Sequence, residues 1–303
     1  MRVAIITPAA PAHHQHFCAH LAERHDVVGV VHPAPRPTSF CGQLAKLRRH
    51  FAHGVTYGTL RTLAAVRTPL IGWNWREAHD AAEARFFAGA ADAYERAGVA
   101  DVAHEVGDVN GDETIALVRR LAPDVVLCLG GPVYKRPLIE ACGTMINFHS
   151  GVSPVYNGAS TIMFAFANGH VHLCGGTLMT MSPVVDGGDI MAHYLPAIER
   201  DDDPATLFMK TVRGAADVCS RFLDHLAATG GSFTKVPQTP PLFTCTNEGW
   251  TVHHTQRIRR HLELGTVARH LRPEQLRPYW NLGSDREARD SVRETISGLL
   301  QLA

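Results

Sequence analysis

The residues whose types and spacing most directly suggest chemistry lie in MINFHSGVSPVYNG, Met145 to Gly158, and in VVDGGDI, Val184 to Ile190. In the first stretch Asn147 and His149 close an apolar run that Gly151 and Pro154 interrupt. Side chains two apart on a strand face the same side, so this carboxamide and imidazole are expected to project together beyond the strand's carboxyl end. There they would stabilise a carbonyl oxygen as it becomes an oxyanion, with Asp186 supplying a carboxylate. That chemistry is acyl transfer. An Asn or His alone near a strand end is more often a turn former or a structural residue. The weight therefore rests on the ordered set Asn-x-His, Pro-x-Tyr-x-Gly and Val-Asp-Gly-Gly-Asp-Ile.

Over about residues 1–31 and 102–226 the chain carrying this set resembles the folate-dependent formyltransferase family. The resemblance implies a Rossmann-like α/β domain with a mainly parallel sheet, and transfer of a formyl group from 10-formyltetrahydrofolate to an amine. The family's catalytic Asn, His and Asp fall on Asn147, His149 and Asp186, while Asp189 shapes the loop. The pterin would be held largely through the backbone, by Gly131, Val133 and Tyr134 on one side and Met181, Ser182, Pro183, Val184 and Val185 on the other. Ser150 and Tyr156 are expected beside the acceptor. HSGVSP stands where many members have HPSLLP or HGSLLP, and Asn157 stands where Arg often precedes the Gly. These departures leave the acceptor open among amino sugar nucleotides, amino acids, aminoacyl groups and natural-product amines. Transfer of another one-carbon or carbamoyl group on the same fold is an alternative, as is a non-catalytic ligand-binding module. The latter gives no reason to keep all three polar groups together.

The elements that must position these residues read as follows. Val3 to Thr7, a helical stretch from about His13 to Arg24, and Val27 to Val31 make a βαβ unit, with a ligand crevice at the strands' carboxyl ends. The loop from Thr7 to His16 lacks G-x-G-x-x-G. His13, His14 and His16 in it are either an exposed His-rich turn or a grip for the acceptor, and their pattern fixes no metal geometry. Residues of about 34–98 form a helical insert, by the spacing of Phe40, Leu44, Leu47 and Phe51 and again from Trp75 to Tyr94. Trp73, Trp75, Phe86 and Phe87 are expected to pack as core rather than line a pocket, and Arg48 and Arg49 to face solvent. The α/β pattern resumes at Val102 to Val106, followed by a helix led by Asp112 and the buried strand of PDVVLCLGG. After a short helix from Thr161 to Asn168, two strand-like runs flank a Pro183 to Gly188 loop carrying Asp186. An amphipathic helix, Ala205 to Ala228, begun by the Asp201 to Pro204 cap, closes a catalytic domain of residues 1–229. Residues 230–303 form a small, mostly helical C-terminal extension, in which Arg257, Arg259, Arg260 and His261 read as a solvated face, with phosphate binding the alternative.

Composition bounds the partners. The chain has 303 residues, 45% of them hydrophobic, enough for a sizeable core. Lys+Arg and Asp+Glu number 29 each, so no overall basic field concentrates a polyanion. A small-molecule amine is the expected substrate, without nucleic acid or membrane, and a homodimer is compatible with this reading. The start lacks a secretory signal and no run approaches a membrane span, so a cytoplasmic protein is expected. Seven scattered cysteines read as reduced thiols rather than disulfides or a zinc site. Balanced charge predicts that methionyl initiator tRNA is neither formylated nor bound in a salt-sensitive manner. Efficient formylation of that tRNA by the purified protein would overturn the small-molecule assignment.

Overall fold

In the computed structural model, which describes residues 1–34, 55 and 73–302, short β-branched runs become strands of one sheet. In chain order the elements are β1 (Arg2–Ile6), α1 (Ala12–Ala22), β2 (Asp26–Pro33), α2 (Trp75–Phe86), α3 (Ala90–Arg96), β3 (Ala103–Val106) and α4 (Asp112–Leu121). Next come β4 (Val125–Leu129), α5 (Arg136–Cys142), β5 (Met145–His149), β6 (Tyr156–Gly158), α6 (Thr161–Ala167), β7 (Gly176–Thr180) and β8 (Ile190–Leu195). The chain ends with α7 (Pro204–Thr229), β9 (Phe243–Cys245), α8 (Val252–Glu263), β10 (Gln275–Pro278) and α9 (Asp285–Leu300).

The main sheet runs β10-β8-β7-β5-β4-β1-β2-β3, with β6 and β9 paired separately. From β3 to β5 the neighbours are parallel, and from β5 to β10 they are antiparallel. The strand order reverses between β1 and β4, and a crevice opens at the carboxyl ends there. Both faces of the parallel part are covered, which is why β1 and β4 read as unbroken apolar runs. Val3 and Ile5 pack with Phe17 and Leu21 of α1 and Val212 and Phe222 of α7. Ala4 and Ile6 pack on the opposite face with Ile115 and Val118 of α4 and Leu138 of α5.

Helix chemistry follows the expected signals. Asp112 and Glu113 open α4 and Arg119 and Arg120 close it, each suited to the helix dipole. Asp203 caps α7 in a box with Thr206, and Pro204 follows at the first turn. Two boundaries differ from the sequence reading. Val99–Val102 is a 3-10 turn before β3, and Val171–Leu173 another before β7. The described part of the insert, α2 and α3, carries Trp73, Trp75, Phe86 and Phe87 into a cluster with Met209 and Phe208 of α7. Phe40, Leu44, Leu47, Arg48, Arg49 and Phe51 lie outside the described residues. In the extension β10 pairs with β8 and β9 with β6, while Ala288 and Val292 of α9 pack on Ile190 and Tyr279.

Among the described residues no helix is long and apolar enough to cross a membrane. Cys18, Cys128, Cys142, Cys174, Cys219 and Cys245 are free and buried. Burial pushes the thiols of Cys142 and Cys174 up to about 12, so they are poor nucleophiles. His193 on β8 is fully buried; its Nε2–H donates to Ser153 O at 2.7 Å and its Nδ1 accepts from the Tyr279 hydroxyl at 2.9 Å. Burial lowers its pKa from 6.5 to about 4. The unfolded chain therefore takes the proton first, and this contribution to stability is complete above pH 6.5 and lost as pH falls towards 4. Between pH 7 and pH 5 His193 accounts for a loss of about 2 kcal/mol, an order-of-magnitude figure from the linkage relation. Urea unfolding at both pH values should show a pH-dependent loss smaller by about that amount in His193→Gln than in the parent. An equal loss in both proteins would remove His193 as the cause.

Candidate active site

β5 carries Asn147 and His149 to the crevice because the strand is pinned on both sides. Asn147 lies opposite Cys128 of β4 and Met179 of β7, and His149 opposite Thr177 of β7. Beyond β5 the chain is tied down by Thr177 Oγ1, which donates to Gly151 O at 2.6 Å and accepts from Ser153 N–H at 2.9 Å. Thr161 Oγ1 likewise donates to Ser150 O. A cavity of about 760 Å³ opens there, a size suited to a small ligand.

His149 is the centre of the polar arrangement. Its Nδ1 stands 3.4 Å from Asp186 Oδ1, and its Nε2–H donates to Tyr156 O at 3.1 Å. Both side chains are largely shielded, 7% exposed for His149 and 13% for Asp186, which strengthens the attraction relative to a surface pair. The other carboxylate oxygen, Asp186 Oδ2, accepts from Gly158 N–H at 2.8 Å. Asp186 has φ +50°, a left-handed conformation unusual for a side-chain-bearing residue, although Asp tolerates it better than most. Gly151 explains the spacing of the His-x-Gly pair. A Cβ there would come within 2.4 Å of His149 Nε2 and 2.6 Å of Tyr156 O, the two atoms that bond each other.

The opposite wall is built by α1. Thr7 Oγ1 donates to Leu129 O at 2.8 Å and so spends its one proton, which leaves it to accept from His14 Nδ1–H at 2.6 Å. Nε2 of His14 then carries the lone pair, and the residue borders the cavity. Burial, aided by the neighbouring His13 and His32, holds His14 well below the usual imidazole range, so the ring is neutral. His13 Nδ1 bonds Glu83 Oε1 at 2.5 Å, and that hydrogen bond lowers the Glu83 carboxyl. The histidine-rich stretch is therefore not an exposed turn. α1 begins at Ala12, and His13 and His14 are 6% and 8% exposed, with Phe87 and Phe208 packed on the His13 ring.

Most residues singled out from sequence share this cavity: Asn147, His149 and Asp186, with Gly131, Val133, Tyr134, Met181, Ser182, Val185, His13, His14 and Ser150. Three lie outside its lining. Pro183 and Val184 stand on the outer side of the hairpin, where Val184 is 68% exposed. Tyr156 points its ring away, stacked on Phe243, and its hydroxyl bonds His170 Nδ1 at 2.7 Å and accepts from Asn168 at 3.0 Å. It meets the site only through its carbonyl. Asp189 pairs with Lys235 at 3.0 Å. Sequence reasoning missed Phe208 and Asn247 in the lining, and Asn157 and Gln238, which bond the Asp186 loop. Arg257 is bonded to Asn168 and Arg259 to Glu263, which reduces any phosphate patch on α8. Among the described residues no group of His, Cys, Asp and Glu is arranged to hold a metal ion.

Fold and site together define an α/β protein with a polar triad at the carboxyl ends of its parallel strands. Residues 91–221, from α3 into α7, match the model of the formyl transferase family, and this matched segment holds Asn147, His149 and Asp186. The methionyl-tRNA formyltransferase of Nitratiruptor sp. is 31% identical over 116 residues, 38% of this chain and 38% of that protein. The methionyl-tRNA formyltransferase of Lactiplantibacillus plantarum is 28% identical over 144 residues, 45% of this chain and 44% of that protein. The chain thus spans less than half the length of these curated relatives. A solved structure from Mycobacterium tuberculosis, of an uncharacterised protein assigned to the sugar N-formyltransferases, aligns with a TM-score of 0.51 at 15% identity, covering 84% of this chain and 85% of that one. That likeness is one of fold.

Gly151→Ala tests the packing behind His149. The methyl group should cost about 1–3 kcal/mol of stability by overpacking, measured by urea unfolding, and turn the imidazole out of line with Asp186. A folded variant with unchanged stability would show that the close approach is not needed.

Proposed function

We propose that this protein is an N-formyltransferase that moves a formyl group from 10-formyltetrahydrofolate to an amine of a small-molecule acceptor. The observation that carries this reading is the convergence of Asn147, His149 and Asp186 on one cavity, within the segment that matches the family model. The pterin of the donor is assigned to the side bounded by Gly131, Val133, Tyr134, Met181, Ser182 and Val185. Gly131 suits a close approach there, since its φ is +105° and a Cβ would come within 2.5 Å of the Tyr134 hydroxyl.

In this reading a neutral amine attacks the formyl carbon, and the carbonyl oxygen becomes an oxyanion. Asn147 supplies amide N–H donors to that oxygen, joined by the His149 Nε2–H once it is given up by Tyr156 O, and such donors act most strongly in a shielded cavity. Asp186 orients His149. The amine's excess proton leaves towards the His149 and Asp186 pair, and collapse of the adduct expels the tetrahydrofolate nitrogen, which takes up that proton. His14, with its lone pair on Nε2, suits an N–H or O–H of the acceptor, and His13 and Ser150 border the same space. Such an acceptor docks by donating hydrogen bonds.

Titration calorimetry with a non-hydrolysable 10-formyltetrahydrofolate analogue should give a measurable Kd. Asp186→Asn should fold normally by circular dichroism and lose on the order of a hundredfold in single-turnover formyl transfer, whereas Asp189→Asn should lose much less. No binding at millimolar analogue would remove folate as donor, and a folded Asp186→Asn working at the parent rate would remove the assigned site.

A further inference from the structure

Gln238 lies in the Gly/Pro-rich connector that follows α7, outside the segment matched to the formyl transferase family. Its side chain is nevertheless the most heavily engaged group on the Asp186 loop. Gln238 Nε2 donates to Asp186 O at 2.8 Å and to Gly188 O at 2.5 Å, using both of its protons. Its Oε1 accepts from Asn157 Nδ2 at 3.2 Å, and the second proton of that amide goes to Asp186 O at 2.9 Å. Nε2 also approaches Met179 Sδ of β7 at 3.7 Å. The Asp186 carbonyl is thus fixed by two amides while its carboxylate is held by Gly158 N–H.

The conformation that these bonds hold is not one the loop would choose alone. Asp186 sits at φ +50°, with glycines at 187 and 188, a sequence with wide backbone freedom. A residue in the left-handed region persists when its surroundings over-determine it. Gly188 is also constrained, since a Cβ there would come within 1.6 Å of Thr180 O, so the loop lies flat against β7. The connector itself is anchored two residues before Gln238, where Val236 and Ile190 exchange backbone hydrogen bonds at 2.7 and 2.8 Å. That bridge fixes the base from which the glutamine reaches the loop.

We infer that Gln238 is a positioning residue for Asp186, so that residues beyond α7 complete the active site rather than append to it. This deepens the proposed formyl transfer and rests on Asp186 being its functional carboxylate. Gln238 touches neither donor nor acceptor in this assignment. It acts by keeping Asp186 Oδ1 beside His149 Nδ1, so its loss should lower kcat and leave the KM for the formyl donor near the parent value.

The test uses the full chain and Gln238→Met, which keeps length and volume but removes every hydrogen bond. Amide hydrogen exchange should speed up at least tenfold at Gly158, whose N–H is bonded to the Asp186 carboxylate, and through residues 184–190, while exchange in β1 and β4 stays as in the parent. Formyl transfer from 10-formyltetrahydrofolate should fall about tenfold or more in kcat. In the double variant with Asp186→Asn, adding Gln238→Met should cost little further, because the glutamine works through that carboxylate. Unchanged exchange at Gly158, or losses that multiply independently in the double variant, would overturn the inference. If the parent transfers no formyl group yet the exchange loosens locally as described, the positioning of Asp186 stands and the formyl-transfer reading falls.

Discussion

His149 can serve as a polar group in a shielded cavity only because three separate segments meet its ring. The imidazole is delivered by a buried strand, faces a carboxylate from the β7–β8 hairpin and gives a proton to a carbonyl of β6. Each partner satisfies a group that would be costly to bury alone. The arrangement explains why small residues surround it. Gly151 admits the ring and the carbonyl to the same space, and Gly158 offers its N–H to the carboxylate from a backbone conformation with φ +105°. Around this point the parallel half of the sheet gives way to the antiparallel half at β5, so the polar triad sits where the two kinds of pairing join.

The two walls of the cavity have different electrical characters. On the α1 side the burial of His14 denies it a proton, and Thr7 decides which nitrogen keeps the lone pair. On the β5 side Asp186 offers negative charge beside His149. A ligand spanning the cavity would meet an acceptor of hydrogen bonds at one end and a carboxylate-backed imidazole at the other. Uncharged and cationic groups suit such a space better than anionic ones, since burying negative charge near a carboxylate is unfavourable.

Much of this was legible in the chain because it was written locally. The strands β1, β4 and β5 announce themselves as β-branched apolar runs, and the Asn-x-His spacing on a strand puts both side chains on one face. The loop carrying Asp186 is visible as glycines between two strands. Other features depend on partners far along the chain. Gln238 bonds Asp186 across 52 residues, and nothing in a Gly/Pro-rich connector marks one amide as engaged. Tyr156 illustrates a different limit, for spacing shows that a residue is near the site but not whether it contributes its side chain or its carbonyl. The burial of His13 was not legible either, because Phe87 and Phe208, which pack on its ring, belong to other elements.

The pairing of β10 with β8 has a further consequence for how the chain can be handled. β8 is a fully buried strand, and its outer edge is covered by Gln275 to Pro278 of β10, by the Tyr279 and Trp280 N–H groups on Met191 O and by the bridge from Val236. Cutting the chain after α7 would strip all of these away and leave a row of unpaired N–H and C=O groups along an apolar strand, a template onto which a second molecule could add. In the intact chain the outermost position falls instead to a four-residue strand that ends in Pro278 and carries Arg277, short, charged and poor in donors. The last quarter of the polypeptide thus guards the sheet against self-association, and a version cut after α7 would be expected to precipitate even with its triad intact.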